Sequence, residues 1–327
     1  HSMCPQQYFC EYVLGWRGRG GLKADKGTIV HKVLEVLALA QKAKQEGKKT
    51  FTDDVVGKVS TSSCDVDKLV DDVYNYYSSA FDYHDWKPLD LKHCRAWTWK
   101  ALELNGGMFD PRKRTIVDAE PHFDFEIDEP WAGYEYEIEG ECVKGNLALK
   151  GTIDLITKVD EGFYEIVDWK TGKRLDWATG QEKTYSKLQN DPQLRIYHYA
   201  ASVLYPDVDN IMVTIYFIND GGPFSLCFSK DDIPETKRII KEKFEKIKST
   251  RIPRLNKSWK CTKLCHQGKS TFEGTHIKPM LNRYGEVMTK CQQVQQAIEL
   301  KGIDSVSQDY KQLGHEVAKY KAPGSIE

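Results

Sequence analysis

The chain has 327 residues, 40% hydrophobic and 29% charged, the balance of a globular protein with enough chain to bury a substantial core. Lys and Arg number 47 against 48 Asp and Glu, a net charge of −1. No global basic field therefore marks a nucleic-acid partner, and any such path must be a local groove. No stretch is apolar over the length a bilayer demands, so no membrane role is expected.

The chain opens with CPQQYFCEYVLG at 4–15, followed by WRGRGGLK at 16–23. That basic segment and PRKR at 111–114 are candidate nucleic-acid contacts, although a solvated surface is the plainer reading of each. Residues 25–47 read as an amphipathic helix: Ile29, Val30, Val33, Leu34, Leu37 and Ala38 recur near the helical period, and Asp25 stands where a cap belongs. His31 and Glu35 then share one face. Residues 65–110 read as mostly helical and hold Tyr74, Tyr76, Tyr77, Trp86, Trp97 and Trp99, a set expected to pack as core.

From 114 to 170 the pattern changes to strands. RTIVDAEPHFDFEI, YEYEIEGECV, LALKGTIDLITKV and GFYEIVDWK read as a meander with turns at Gly145 and at 160–162. A helix follows, with Asp191 as its cap and Pro192 in its first turn. Further strands are expected at 210–218 and 224–229, then a charged amphipathic helix at 231–249 and a short helix near 292–301. Strands followed by helix and strand, with a helix in front, imply a sheet flanked by helices.

The chemistry concentrates in two places. GTIDLI is read as ending a strand at Asp154, and the neighbouring strand ends in IVDWKTGK. Residues two apart in a strand share a face, so Asp168 and Lys170 project together while Trp169 turns away. Two carboxylates beside an ammonium are the inventory of metal-assisted phosphodiester hydrolysis: hard cations prefer carboxylate oxygens and acidify bound water. Gln193 and Tyr197, four apart on a helix, face the same way. The second place is cysteine-bearing. Nine cysteines, an odd number in a long chain, fit a reducing cytosol better than a disulfide scaffold. Cys10, Cys64, Cys94, Cys142 and Cys227 read as buried small hydrophobes. GKST at 268–271 lacks the leading glycine and the preceding strand of a phosphate-binding loop, so no ATP site is expected.

GTIVHKVLE (27–35), GTIDLI (151–156), DWKTGK (168–173) and QLRIY (193–197) occur in the order seen in RecB-like nucleases of the PD-(D/E)XK superfamily. The chain resembles the CRISPR-associated RecB-like exonucleases and their phage-encoded relatives. The resemblance implies an α/β, restriction-endonuclease-like fold with a central mixed β-sheet flanked by helices. A single RecB-like nuclease unit, 1–327, would contain a helical region at 25–113, the nuclease core at 114–250, and a cysteine-bearing region at 1–24 plus 251–327. His31, Asp154, Asp168 and the Val167 carbonyl would bind Mg²⁺ or Mn²⁺, Lys170 would be the catalytic lysine, and Gln193 and Tyr197 would position the metal site and DNA. Glu120 matches an acidic position of the family, and Glu35 is a further candidate.

CPQQYFCEYVLG resembles the element that opens RecB-like enzymes carrying an iron–sulfur cluster. This implies a [4Fe-4S] cluster on Cys4, Cys261, Cys265 and Cys291 that joins the two terminal segments. Twenty-five residues between Cys265 and Cys291, including His266 and His276, leave a mixed-ligand Zn²⁺ site as the alternative. The activity implied is an exonuclease acting on single-stranded DNA ends. The alternatives are a structure-specific or single-strand endonuclease and a DNA-end binding or adaptor module. Recombination, repair or CRISPR-adaptation proteins are the implied partners, and the implied location is the cytoplasm, including that of a phage-infected host.

Overall fold

The computed structural model describes residues 4–310 apart from 17–18, 139–140, 176–180, 251, 264, 276, 304 and 308. It divides into two compact units, one of residues 1–20 with 245–327 and one of residues 21–244. The first begins with the short helix α1 (Pro5–Tyr8) and is completed at the other end of the chain.

In the 21–244 unit, α2 (Leu22–Gln45) buries Ile29, Val30, Val33, Leu34, Leu37 and Ala38 completely, as their spacing predicts. The helix starts earlier than expected, with Gly21 and not Asp25 at its cap. Asp25 is turned inward instead, accepting a 2.8 Å bond from the Tyr83 hydroxyl with His84 Nε2 2.6 Å away, so its carboxylate is unavailable to the helix end. The hairpin β1 (Thr50–Asp53) and β2 (Gly57–Ser60) follows, then α3 (Val66–Ala80), capped by Asp65 onto Lys68 N at 3.1 Å, and α4 (Pro88–Glu103). These helices form one apolar layer in which Tyr74, Tyr77 and Phe81 are buried and Trp86, Trp97 and Trp99 border the core.

The strand region is more broken than a meander. After β3 (Thr115–Ala119), the backbone at Glu120 adopts φ 48°, and β4 (His122–Glu126) leaves the main sheet. The hairpin β5 (Gly133–Ile138)–β6 (Glu141–Asn146) stands as a separate ribbon, and β7 (Ala148–Thr152) pairs with β4. Among the described residues, only β8 (Leu155–Asp160), β9 (Phe163–Lys170), β10 (Asn210–Phe217) and β11 (Gly222–Ser229) join β3, in the order β11-β10-β9-β8-β3. The β9–β10 pair is parallel and the rest are antiparallel, which makes the sheet mixed as expected. Between β9 and β10 the chain forms α5 (Tyr185–Gln189) and α6 (Pro192–Leu204); α7 (Ile233–Lys248) follows β11. Alternation along β9 sends Val167 and Trp169 into the α2–α4 layer and Ile166 into the cluster that includes α6. The sheet is thus covered on both faces.

A polar cross-tie runs through this sheet. Glu165, 3% exposed, accepts from Arg114 and from the Thr214 hydroxyl at 2.6 Å. Arg112 is held by Asp110 at 2.7 Å, so two of the four residues of the basic PRKR segment are committed to internal pairs. Arg114→Ala strands a buried carboxylate, an uncompensated charge worth about 3–5 kcal/mol. Denaturant melts should show that loss, and a shift below about 1 kcal/mol would refute the buried pair.

The other unit adds α8 (Trp259–Lys263), α9 (His266–Lys269) and α10 (Lys290–Lys301), the last capped by Thr289 with Gln292. Its core joins the two chain ends. Trp16 packs against Phe272 and Tyr310 with ring centroids 5.5 and 5.9 Å apart. Gln267 Nε2 donates to Trp16 O at 2.7 Å, and Phe9, Cys10, Leu14, Val294 and Ile298 complete the cluster. No helix of the described residues is long and apolar enough to cross a membrane.

Candidate active site

The break between β7 and β8 creates the site. Asp154 does not end a strand as expected but lies in the bend between them. There Asp154 O accepts from Glu120 N at 3.0 Å and Asp154 Oδ2 accepts from Trp169 N at 2.8 Å. The same two strand endings therefore fix both acids. Asp168, within β9 and 1% exposed, has Lys170 Nζ 2.7 Å from Oδ2 and 2.9 Å from Oδ1. From α6, the Tyr197 hydroxyl donates to Asp168 Oδ1 at 3.0 Å, and Gln193 Nε2 reaches the same oxygen at 3.4 Å and Tyr197 Oη at 2.9 Å. Asp191 caps α6 onto Gln193 N at 3.0 Å, as the Asp-Pro pair predicts, and so sets the pitch of that face. From α2, His31 Nδ1 lies 3.6 Å from Asp154 Oδ2.

Four side chains assigned in the sequence, His31, Lys170, Gln193 and Tyr197, thus meet at Asp168 and Asp154. Trp169 points away into the core, as alternation requires, and Val167 is buried within the sheet opposite Leu155 and Thr214. Glu120 and Glu35 extend the acidic patch. Burial and the neighbouring Glu120 push the Glu35 carboxyl up to about 7 against the pull of Lys32, and burial with Asp154 raises Glu120. Lys32 bridges Glu35 at 2.9 Å and Asp53 at 2.8 Å. Sequence reading missed that ion bridge, because no local pattern brings residue 53 to residue 32.

The charges polarise one another. Burial opposes the imidazolium of His31, but Asp154 outweighs it and raises the pKa, while burial of Asp154 is outweighed by His31, Lys170 and the Trp169 amide, which hold its carboxyl low. Burial, helped by Asp154, raises Asp168 despite Lys170. The acids of the site are thus neutralised in part by a lysine and an imidazole. Asp168 Oδ2 is buried and accepts no directed hydrogen bond, so its compensation rests on the Lys170 ammonium 2.7 Å away. Among the described residues no group of three or more His, Cys, Asp or Glu is arranged to hold a metal ion. The donor chemistry of imidazole plus two carboxylates still fits a divalent cation.

Close packing holds the helix to the strand end. A Cβ built on Gly27 would lie 2.7 Å from Thr171 Oγ1, one residue past Lys170. Gly27→Ala adds up to about 1 kcal/mol of helix propensity but overpacks a tight contact at about 1–3 kcal/mol, so net destabilisation and weakened hydrolysis are expected. A melting temperature unchanged or raised, with full activity, would remove this contact from the account.

The cysteines assigned to a cluster all belong to the unit of residues 1–20 with 245–327. Burial, with smaller contributions from Cys4, Cys265 and Cys261, raises the Cys291 thiol to about 12. Cys10, buried, is pushed up by burial and then by Cys291, Cys265 and Cys4. Five thiols therefore share one neighbourhood, where the sequence reading set Cys10 apart. Cys94 is buried as expected, but Cys142 and Cys227 are exposed and Cys64 is half-buried: the first two stand on the open faces of β6 and β11. His266 is exposed, and His276 lies outside the described residues.

The model of the PD-(D/E)XK nuclease superfamily matches residues 2–267. The chain belongs to that superfamily, whose members are metal-dependent nucleases. The comparison with curated proteins gives no match.

Proposed function

We propose that the protein is a DNA exonuclease of the RecB-like type, related to the CRISPR-associated and phage-encoded enzymes, that degrades single-stranded ends. The observation that carries the reading is the convergence of Asp154, Asp168 and Lys170, with His31 3.6 Å from Asp154. His31, Asp154 and Asp168, with the Val167 carbonyl, would hold Mg²⁺ or Mn²⁺, which would acidify water and neutralise charge on the scissile phosphate.

The chain's own groups do the rest. Lys170, its ammonium against Asp168 and its side chain 35% exposed, orients the attacking water or grips a non-bridging phosphate oxygen. Tyr197 and Gln193 spend their donors on Asp168 Oδ1, which fixes that carboxylate's rotamer. Water adds its oxygen to phosphorus, the bridging oxygen leaves with a proton, and a phosphate and a hydroxyl result. Glu35 and Glu120 border the acids and tune their charge.

The test compares linear single-stranded DNA with its covalently closed circle in Mn²⁺. Loss of the linear strand with an intact circle is expected. A cut circle would favour the single-strand endonuclease, and activity that requires an added protein would favour the adaptor reading. Chelation by EDTA should abolish turnover and dialysis into Mn²⁺ should restore it.

For the cysteines we propose a structural [4Fe-4S] cluster on Cys4, Cys261, Cys265 and Cys291, on the resemblance of the opening CPQQYFCEYVLG to cluster-carrying enzymes; the four thiols belong to one compact unit, although among the described residues no three of them stand arranged around a metal. Four thiolates are the usual ligand set of such a cluster. A Zn²⁺ site using His266 or His276 is the rival, and metal analysis of anaerobically purified protein decides between them.

A further inference from the structure

We propose that the unit of residues 1–20 with 245–327 is a capture surface for single-stranded DNA. Trp259 and Tyr284 act as base-stacking platforms, and Lys257, Lys260, Lys263 and Arg283 contact phosphates. The choice of DNA rests on the nuclease reading above; the surface itself rests on different residues.

The near-zero net charge of the chain conceals a partition. Residues 1–20 with 245–327 hold 17 Lys and Arg against 9 Asp and Glu, a net +8, whereas residues 21–244 hold 30 against 39, a net −9. The unit that carries the acidic site therefore repels a polyanion by itself, and the long-range attraction has to come from the other unit. Within the latter the basic residues concentrate in 251–290, with nine Lys and Arg against two Asp and Glu.

How these cations are used separates them from the rest of the chain. In the 21–244 unit, Lys26, Lys32, Arg112 and Arg114 are engaged with buried acids. Among the described residues, none of Arg254, Lys257, Lys260, Lys263, Lys278 and Arg283 forms an ion pair, and most of them are exposed. Surface cations without an ion pair are free to meet phosphates.

The aromatic component is equally specific. Trp259 is 57% and Tyr284 71% exposed, unlike the buried rings of the unit's core. Each has a cation over its ring: Lys260 Nζ 6.0 Å from the Trp259 centroid, and the Arg283 guanidinium 4.7 Å from that of Tyr284. Tyr284 sits at the tip of a hairpin bridged at Leu281 and Val287. Asn282 N donates to Glu286 O at 2.8 Å, and Asn282 Oδ1 accepts from the amides of Tyr284 and Glu286 at 2.9 and 3.0 Å. Gly285, at φ 80°, supplies the left-handed residue that the turn needs. The ring is thus presented on a braced turn and not on a loose loop. Exposed rings interleaved with cations are the chemistry that binds unpaired bases, since every base offers a π-face and every linkage a negative charge. Duplex DNA hides those faces, so the surface favours single strands.

The experiment uses the full chain in EDTA, so that no strand is cut, and fluorescence anisotropy of an end-labelled oligothymidine of about 20 nucleotides. Replacing both rings, Trp259→Ala with Tyr284→Ala, is expected to weaken binding at least about 10-fold, while Trp259→Phe with Tyr284→Phe stays within about twofold of the parent. Lys260→Ala with Arg283→Ala should flatten the dependence of log K on log salt by about 0.7 for each phosphate no longer neutralised. Hydrolysis of the small ester bis(p-nitrophenyl) phosphate should be unchanged in all of these. Equal affinity of the alanine variants and parent, or an equal loss on blunt duplex, overturns the stacking surface even if the parent degrades DNA. A parent that binds the strand through these residues but never cleaves it leaves the surface standing and removes the nuclease reading.

Discussion

Asp168→Asn is expected to lower phosphodiester hydrolysis by on the order of 10³-fold or more, the loss appropriate to the proposed metal ligand and its electrostatic contribution together. The substitution keeps the shape of a residue that is 1% exposed and accepts from Tyr197 and Lys170, so binding of single-stranded DNA in EDTA should hold at the parent's level. Removing the carboxylate also deprives Lys170 of the neighbour that keeps its ammonium charged against burial. Lys170→Ala and Asp154→Ala should fall by a similar order when measured as single-turnover rates on an end-labelled strand in Mn²⁺. In the proposed site the three groups act on one phosphate, so the double variant Asp168→Asn with Lys170→Ala should cost scarcely more than either alone. Undiminished rates in all three single variants would dismantle the site.

The second large effect is expected at the cysteines. Cys291→Ser should abolish visible absorption at about 400 nm and the bound iron, and should release the unit of residues 1–20 with 245–327 to limited proteolysis. Cys291 is buried at the start of α10, and Cys4, Cys261 and Cys265 each raise its thiol, so under the proposed cluster removal of this one ligand would open the attachment of both chain ends. Cys94→Ser, in the other unit, should leave the chromophore intact. Zinc without visible absorption in the parent would replace the cluster by the rival site, and a parent with no metal would remove both.

Much of the site was legible because its spacing is local. Asp168 and Lys170 share a face by strand alternation, and Gln193 and Tyr197 do so by the helical repeat. Asp191 with Pro192 announced the start of α6. Contacts across the chain were not legible in the same way: the Lys32–Asp53 bridge, the inward turn of Asp25 to Tyr83 and His84, and the grouping of Cys10 with the more distant thiols depend on which faces meet.

The strand text was the most misleading. Continuous β-propensity from 147 to 159 concealed the break at Ile153–Asp154, and likewise at Glu120, since propensity records a residue's fit to a pleated surface and not the point where a strand changes partner. That break is what turns Asp154 out of the ladder and onto Trp169 N.

The amino-acid order by itself determined the superfamily, the paired acids with their lysine, and the apolar face of α2. Only the tertiary structure decided that β7 and β8 belong to different sheets, that the PRKR arginines serve internal carboxylates, and that positive charge gathers in one unit while the acids gather in the other. The physical reason is range: alternation and helical repeat act over a few residues, whereas burial, charge pairing and strand partnership are settled by segments far apart in the chain.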